Sequence, residues 1–166
     1  MNFSEWEMQV PVDIRNDALW KMKVYRLALF IGDIGWCDVT KLSADRRMWG
    51  VSDQLYRSLG SISANLAEGY SRGTGRERAH FYEYAMGSAR ECRDWYHKSR
   101  QVLGDQVANH RIQLVTEIIR MLIEIVVDQR GYKIREIAED YKTHPIKTSP
   151  DEDLTNLLEK IPFSVE

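Results

Sequence analysis

Glu77 and His80, in the run Glu77-Arg-Ala-His80, stand at the spacing with which one helix offers two ligands to a metal ion. A di-metal centre in a helical body needs a second such pair and two further carboxylates. No second Glu-x-x-His occurs in the chain, so no metal site is expected. The stretch Gly69-Tyr-Ser-Arg-Gly73-Thr-Gly75 lacks the Lys-Ser/Thr ending of a phosphate loop, and no strand-like run precedes it. Cys37 and Cys92 belong to no Cys-x-x-Cys pair, and none of His80, His97, His110 or His144 is marked as a base for a thiol. The sequence thus predicts no catalytic residue, no metal and no cofactor, and an enzyme is the least supported reading.

Two other constellations carry physical meaning. Ser61, Asn65 and Glu68 follow one another at helical spacing, with Arg72 four residues further on. They run beside the apolar row Leu55, Leu59, Ile62, Leu66. A carboxylate and an amide so close to a core-facing row need partners if buried. They predict a satisfied polar network, a surface that meets another subunit, or a partly solvated flank. Glu68 is expected to be held by Arg72, or by His80 or Tyr84 of the following helix.

The second constellation is basic. Residues 70–100 hold seven Lys or Arg against four acids. Arg72, Arg76, Arg78, Arg90, Arg93, Lys98 and Arg100 are interleaved with Tyr70, Tyr82, Trp95, Tyr96 and His97. Arginines contact phosphates and exposed aromatics stack on unpaired bases, so Arg72, Arg76, Arg78, Arg90 and Arg93 are the candidate nucleic-acid contacts. The opposing reading pairs these arginines with Glu77, Glu83, Glu91 and Asp94 on a solvated face. The pI near 6.1 favours the latter, since dedicated nucleic-acid domains more often exceed about 9.

The elements that position these residues read as helices throughout. Asn16 or Asp17 is a candidate N-cap for a first long helix over 17–43. It carries two apolar rows: Trp20, Val24, Leu27, Ile31, Ile34 and, beside it, Met22, Tyr25, Leu29, Trp36. Two rows predict two neighbours. A second helix over 47–70 presents Ser58, Gly60, Ser61, Ser63 and Ala64 as a low-profile face, and Gly73 and Gly75 shape the turn after it. A third, over 76–103, alternates large and small residues (Phe81, Ala85, Ser88, Cys92, Trp95, Ser99, Val102) as left-handed bundle packing requires. A fourth begins at Asp105 as its cap, is the most apolar, and ends at Gly131. Residues 1–15 lack helical periodicity and read as an arm. Residues 132–166 read as an acidic tail, extended over Thr143–Asp153 around Pro145 and Pro150, with one short helix over Asp153–Ile161. The bundle itself is expected over 16–131.

The run Ser61–Arg72 (S-I-S-A-N-L-A-E-G-Y-S-R), followed by Phe81–Glu91 (F-Y-E-Y-A-M-G-S-A-R-E), resembles the signature of the four helix bundle protein family. Founding members of that family are encoded in intervening sequences of large-subunit ribosomal RNA genes, and accessory variability proteins of diversity-generating retroelements are more distant relatives. The resemblance spans about Ala18 to Gly131. It implies an all-α, antiparallel up-down four-helix subunit that assembles into a ring, typically a homopentamer. It also implies that Ser61, Asn65, Glu68, Gly69 and Arg72 form a structural motif at a subunit interface. Most of the family has no established biochemical role, and nucleic-acid binding is the usual suggestion.

Composition is that of a folded domain: 43% hydrophobic and 29% charged. No stretch reaches the roughly 18 uninterrupted apolar residues of a membrane span, and the N-terminus lacks a basic-then-apolar signal pattern. A cytoplasmic protein with Cys37 and Cys92 as reduced core thiols is expected. The net charge of −2 conceals −3 on residues 132–166 and +1 on the remainder. That tail would repel phosphate, unless it docks on the basic turn and masks it. Two readings of function follow: a non-enzymatic ring-forming protein that binds a partner, such as a protein encoded nearby, or a binder of RNA or DNA.

Overall fold

Apolar residues recur every three or four positions through four long runs, and each run closes into a helix that buries that stripe. The computed structural model describes residues 2–131 and 150–163. It is all α, with no strand among the described residues. The long helices are α3 (Lys23–Ser43), α4 (Trp49–Tyr70), α5 (Gly75–Leu103) and α6 (Asp105–Arg130). Two short helices precede them, α1 (Phe3–Gln9) and α2 (Val12–Arg15), and α7 (Pro150–Glu159) follows.

Cross-contacts fix the helix directions. Ser52 Oγ donates to the Val39 carbonyl (3.0 Å), Ser88 Oγ to Ser61 Oγ (3.0 Å), and Cys92 Sγ to Ser58 Oγ (3.1 Å). Arg78 Nε donates to Gln129 Oε1 (2.6 Å), and Arg130 Nη2 to Glu83 Oε2 (2.5 Å). Each long helix therefore runs opposite to the one before it, and α3 closes the set against α5 and α6. Leu27, Ile31, Ile34, Leu55, Leu59, Ile62, Leu66, Leu114, Ile118 and Leu122 are sealed inside. Each such side chain contributes about 1.5–3 kcal/mol by leaving water.

The helix ends follow from local chemistry. Thr74 caps α5: its Oγ1 accepts from Glu77 N (3.2 Å) and donates to Glu77 Oε2 (2.7 Å). Gly104 (φ 84) breaks the chain between α5 and α6, and Gly131 (φ 70) ends α6 in the left-handed region. Gly104 is thus the cap of α6, and Asp105 is its first residue rather than the cap expected.

The expectation of an arm without helix over 1–15 is corrected. Asn2 and Glu5 form a capping box for α1. Phe3 and Trp6 then pack on Phe30, with ring centroids 5.1 and 5.2 Å away. Trp6 Nε1 donates to Asp33 Oδ2 (2.6 Å), and Arg26 pairs with Glu7 (2.6 Å). Seven residues are too few for periodicity to show, which is why the pattern hid the helix. Asp17 caps a single 3₁₀ turn, Ala18–Lys21, so the first long helix starts six residues later than expected. Cys37 is exposed, against the expectation of a core thiol, whereas Cys92 is buried. Residues 143–149 of the expected extended tail, His144 among them, lie outside the described residues. The short helix expected over Asp153–Ile161 is present as α7, but it starts at Pro150, so Pro150–Asp153 of the stretch expected to be extended is helical, proline being tolerated in a first helical turn.

No described helix is long and apolar enough to cross a membrane.

Candidate functional site

The polar stripe of α4 and the facing edge of α5 form one surface strip. Ser61 and Ser88 join across the helices, and Asn65 Nδ2 donates to the Ser61 carbonyl (2.8 Å) and Oγ (3.0 Å). One turn on, Glu68 and Arg72 form an ion pair, with side chains 52% and 41% exposed. Within one chain the strip is a partly exposed flank with an internal polar ladder. The Glu68 carboxylate is held by Arg72, as expected, but at the surface rather than in a buried network.

Gly69 lies beneath this pair. A Cβ there would come within 2.7 Å of Tyr82 Cε1 and 2.9 Å of Phe81 Cβ. The absent side chain lets α5 approach and brings Phe81 under the Arg72 guanidinium, 4.6 Å from ring to cation. His80 packs edge-on against Tyr84 at 4.5 Å, and Phe81 lies 6.2 Å from both. An aromatic and cationic cluster thus crowns the strip, with Tyr84 half exposed.

The basic turn is largely engaged in holding the fold. Arg78 donates to Gln129 and also to the Arg72 carbonyl (3.1 Å), tying the start of α5 to the end of α6. Arg90 and Arg93 are half-buried and engaged in contacts of their own. Lys98 pairs with Asp94 and lies over the Trp95 ring, and Arg100 donates to the His97 carbonyl. Arg76 is exposed, with neither hydrogen bond nor ion pair among the described residues. Of the interleaved aromatics, Tyr82 and Tyr96 belong to the core and are closed to stacking, while Tyr70 is exposed. Burial raises the pKa of both core phenols.

A second exposed aromatic group occupies the α3–α4 side. Trp36 (59% exposed) and Tyr56 (48%) meet edge-to-face at 5.6 Å, with Trp49 also exposed at the start of α4.

Burial pushes the Cys92 thiol up to about 12, which leaves it inert at neutral pH. His80 stands at the surface. Among the described residues no His, Cys, Asp and Glu side chains gather as a metal site. An open groove of about 440 Å³ is lined by Asn2, Glu5, Gln106, Glu159, Lys160, Ile161 and Pro162.

The family model of the 23S rRNA-intervening sequence protein matches residues 21–124, nearly all of α3 to α6. The chain belongs to that family. No curated protein and no solved structure matches it. The family region contains the whole polar strip and leaves α1, α2 and α7 outside.

One buried polar cluster escaped the sequence reading. Arg111 of α6 is fully buried and donates through Nε and Nη2 to Asp38 of α3 (2.8 and 3.3 Å). Tyr96 Oη donates to the same carboxylate (3.1 Å). Arg111 also donates to the Pro162 carbonyl (2.9 Å) and approaches Nδ1 of His110 (2.9 Å), whose Nε2 lies 2.8 Å from the Leu157 carbonyl. The signal was present: Asp38 continues the row Ile31–Ile34, and Arg111 sits between Ala108 and Leu114, opposite charges on two core-facing stripes.

Proposed function

We propose that the four long helices are an up-down four-helix bundle whose work is non-enzymatic assembly: copies join head to tail into a ring that binds a partner. The observation that carries this reading is the pair of unlike exposed faces, Trp36 with Tyr56 on one side and His80, Tyr84 and the Arg72–Glu68 pair on the other. Contiguous exposed aromatics mark protein contacts. Two different complementary faces make a heterologous interface, which closes into a ring when the rotation allows. The family resemblance supplies the number five. Light scattering on the full chain tests the proposal. A multiple of the 19.4 kDa subunit is expected at micromolar concentration, and Trp36→Glu should dissolve it. A monomer mass for the parent overturns it.

Nucleic-acid binding is the second reading, favoured by Arg76, which projects from the basic turn beside the aromatic crown. Glu68 offsets the Arg72 charge, while Arg78 keeps its charge but commits donors to Gln129 and the Arg72 carbonyl. A salt-dependent titration with RNA and DNA, structured and single-stranded, decides it. The phosphate reading requires affinity that falls steeply with salt.

A further inference from the structure

His110 links the body of the protein to its C-terminal segment, and its bonding admits one protonation state. The Leu157 carbonyl only accepts, so His110 Nε2 must carry the proton that meets it (2.8 Å). The Arg111 guanidinium only donates, so Nδ1 must be bare to receive it (2.9 Å). Both contacts hold together only in the neutral imidazole. A second ring proton would sit on Nδ1 and face a guanidinium that is itself sealed from water.

The same two side chains hold the segment at two carbonyls, Leu157 through His110 and Pro162 through Arg111. Apolar contact adds modestly: Leu154 is buried, and Leu158 and Ile161 are partly so. A ten-residue helix is marginal on its own in water, so α7 depends on this docking. It sits against α6 and α1, near the start of α6, whereas the basic turn meets the far end of α6 at Gln129. Docked α7 therefore does not mask that turn.

We propose that residues 150–163 are a detachable latch, released when His110 takes up its second ring proton. The groups around His110 set the sign. Arg111 opposes the added charge; Asp38 of α3 favours it but is already shared by Arg111 and Tyr96 of α5. Burial first, and the Arg111 charge, outweigh the Leu157 hydrogen bond and Asp38, which both favour the charged ring, and hold the His110 pKa below its usual 6.5. The latch is thus fully stabilised above that value and weakens as pH falls through the lower, folded one. On α7, Asp153 acts on Glu117 of α6 rather than on His110, and Glu159 and Lys160 line the groove with Glu5 of α1. The Glu117 carboxyl, raised by burial, works in the opposite sense: its protonation relieves repulsion from Asp153 and strengthens docking. Titration of Glu117 therefore cannot imitate the release.

Hydrogen exchange on the full chain, corrected for intrinsic rates, tests the latch. Between about pH 7.5 and about pH 5 the α7 amides should lose at least about tenfold in protection while the α5 core amides keep theirs. His110→Gln, which cannot take a proton, should remove that pH response. Unchanged α7 protection in the parent, the same response in the variant, or simultaneous loss in α5 would each overturn the proposal. Should the variant fail to dock even at high pH, the His110 ring of the parent decides by NMR. Its titration must coincide with the loss of α7 protection; titration with α7 still protected sinks the idea.

Discussion

Arg111 and Asp38 form an ion pair across α6 and α3 with their side chains 0% and 2% exposed. Every donor of this guanidinium that finds an acceptor finds it inside the protein, at Asp38, His110 or Pro162. Removing one partner strands a buried charge, at a cost of about 3–5 kcal/mol. Arg111→Met should therefore lower the unfolding free energy by that amount in denaturant titration. The double change Asp38→Leu with Arg111→Met should recover much of it, since an apolar pair of similar volume has no charge to desolvate. Equal losses in the single and double variants would show that packing, not charge, holds the site.

The two thiols should behave oppositely. Cys37 is exposed, and Cys92 is buried, bonded to Ser58 and pushed up to about 12. Native protein should show one fast-labelling thiol near neutral pH, absent in Cys37→Ser, with the second appearing on unfolding. Two fast thiols would mean that the α4–α5 seam opens readily.

Glu68→Ala should scarcely change the melting temperature. The Arg72 pair is an exposed i, i+4 pair, worth about 0.3–0.5 kcal/mol. If the strip is a subunit interface, the same variant should lower the assembled mass. A large drop in melting temperature at unchanged mass would give Glu68 an internal structural role instead.

Two glycines should respond with opposite signs. Gly69→Ala forces a methyl against Tyr82 and Phe81, and overpacking of this kind costs about 1–3 kcal/mol. Gly60→Ala meets nothing among the described residues and should stabilise an isolated subunit by about 0.5–1 kcal/mol. A loss of assembly in Gly60→Ala would place that face at a subunit contact.

Arg76→Ala is the test of nucleic-acid binding least confounded by folding, because Arg72 pairs with Glu68 and Arg78 anchors Gln129. Affinity for RNA should fall and the salt slope shrink by about one phosphate contact. An unchanged slope places any binding elsewhere.

Helix type and extent were legible because long amphipathic runs carry their own period. The stripes of α4, α5 and α6 end within two residues of the expected boundaries, at Gly104, Gly131 and the Gly73–Gly75 turn. Family membership was legible for a related reason: the Ser61–Arg72 run is a specific string of residues. Tertiary structure alone decided which face each residue met. Periodicity places Trp36, Cys37 and Asp38 side by side on one helix, yet packing leaves the first two in water and seals the third against Arg111. It likewise assigned Arg78 to Gln129 and Leu157 to His110, partners 51 and 47 residues apart. Local spacing fixes the angle at which a side chain leaves its helix, but the partner that neutralises a charge there comes from another helix. Its position exists only once the helices have packed.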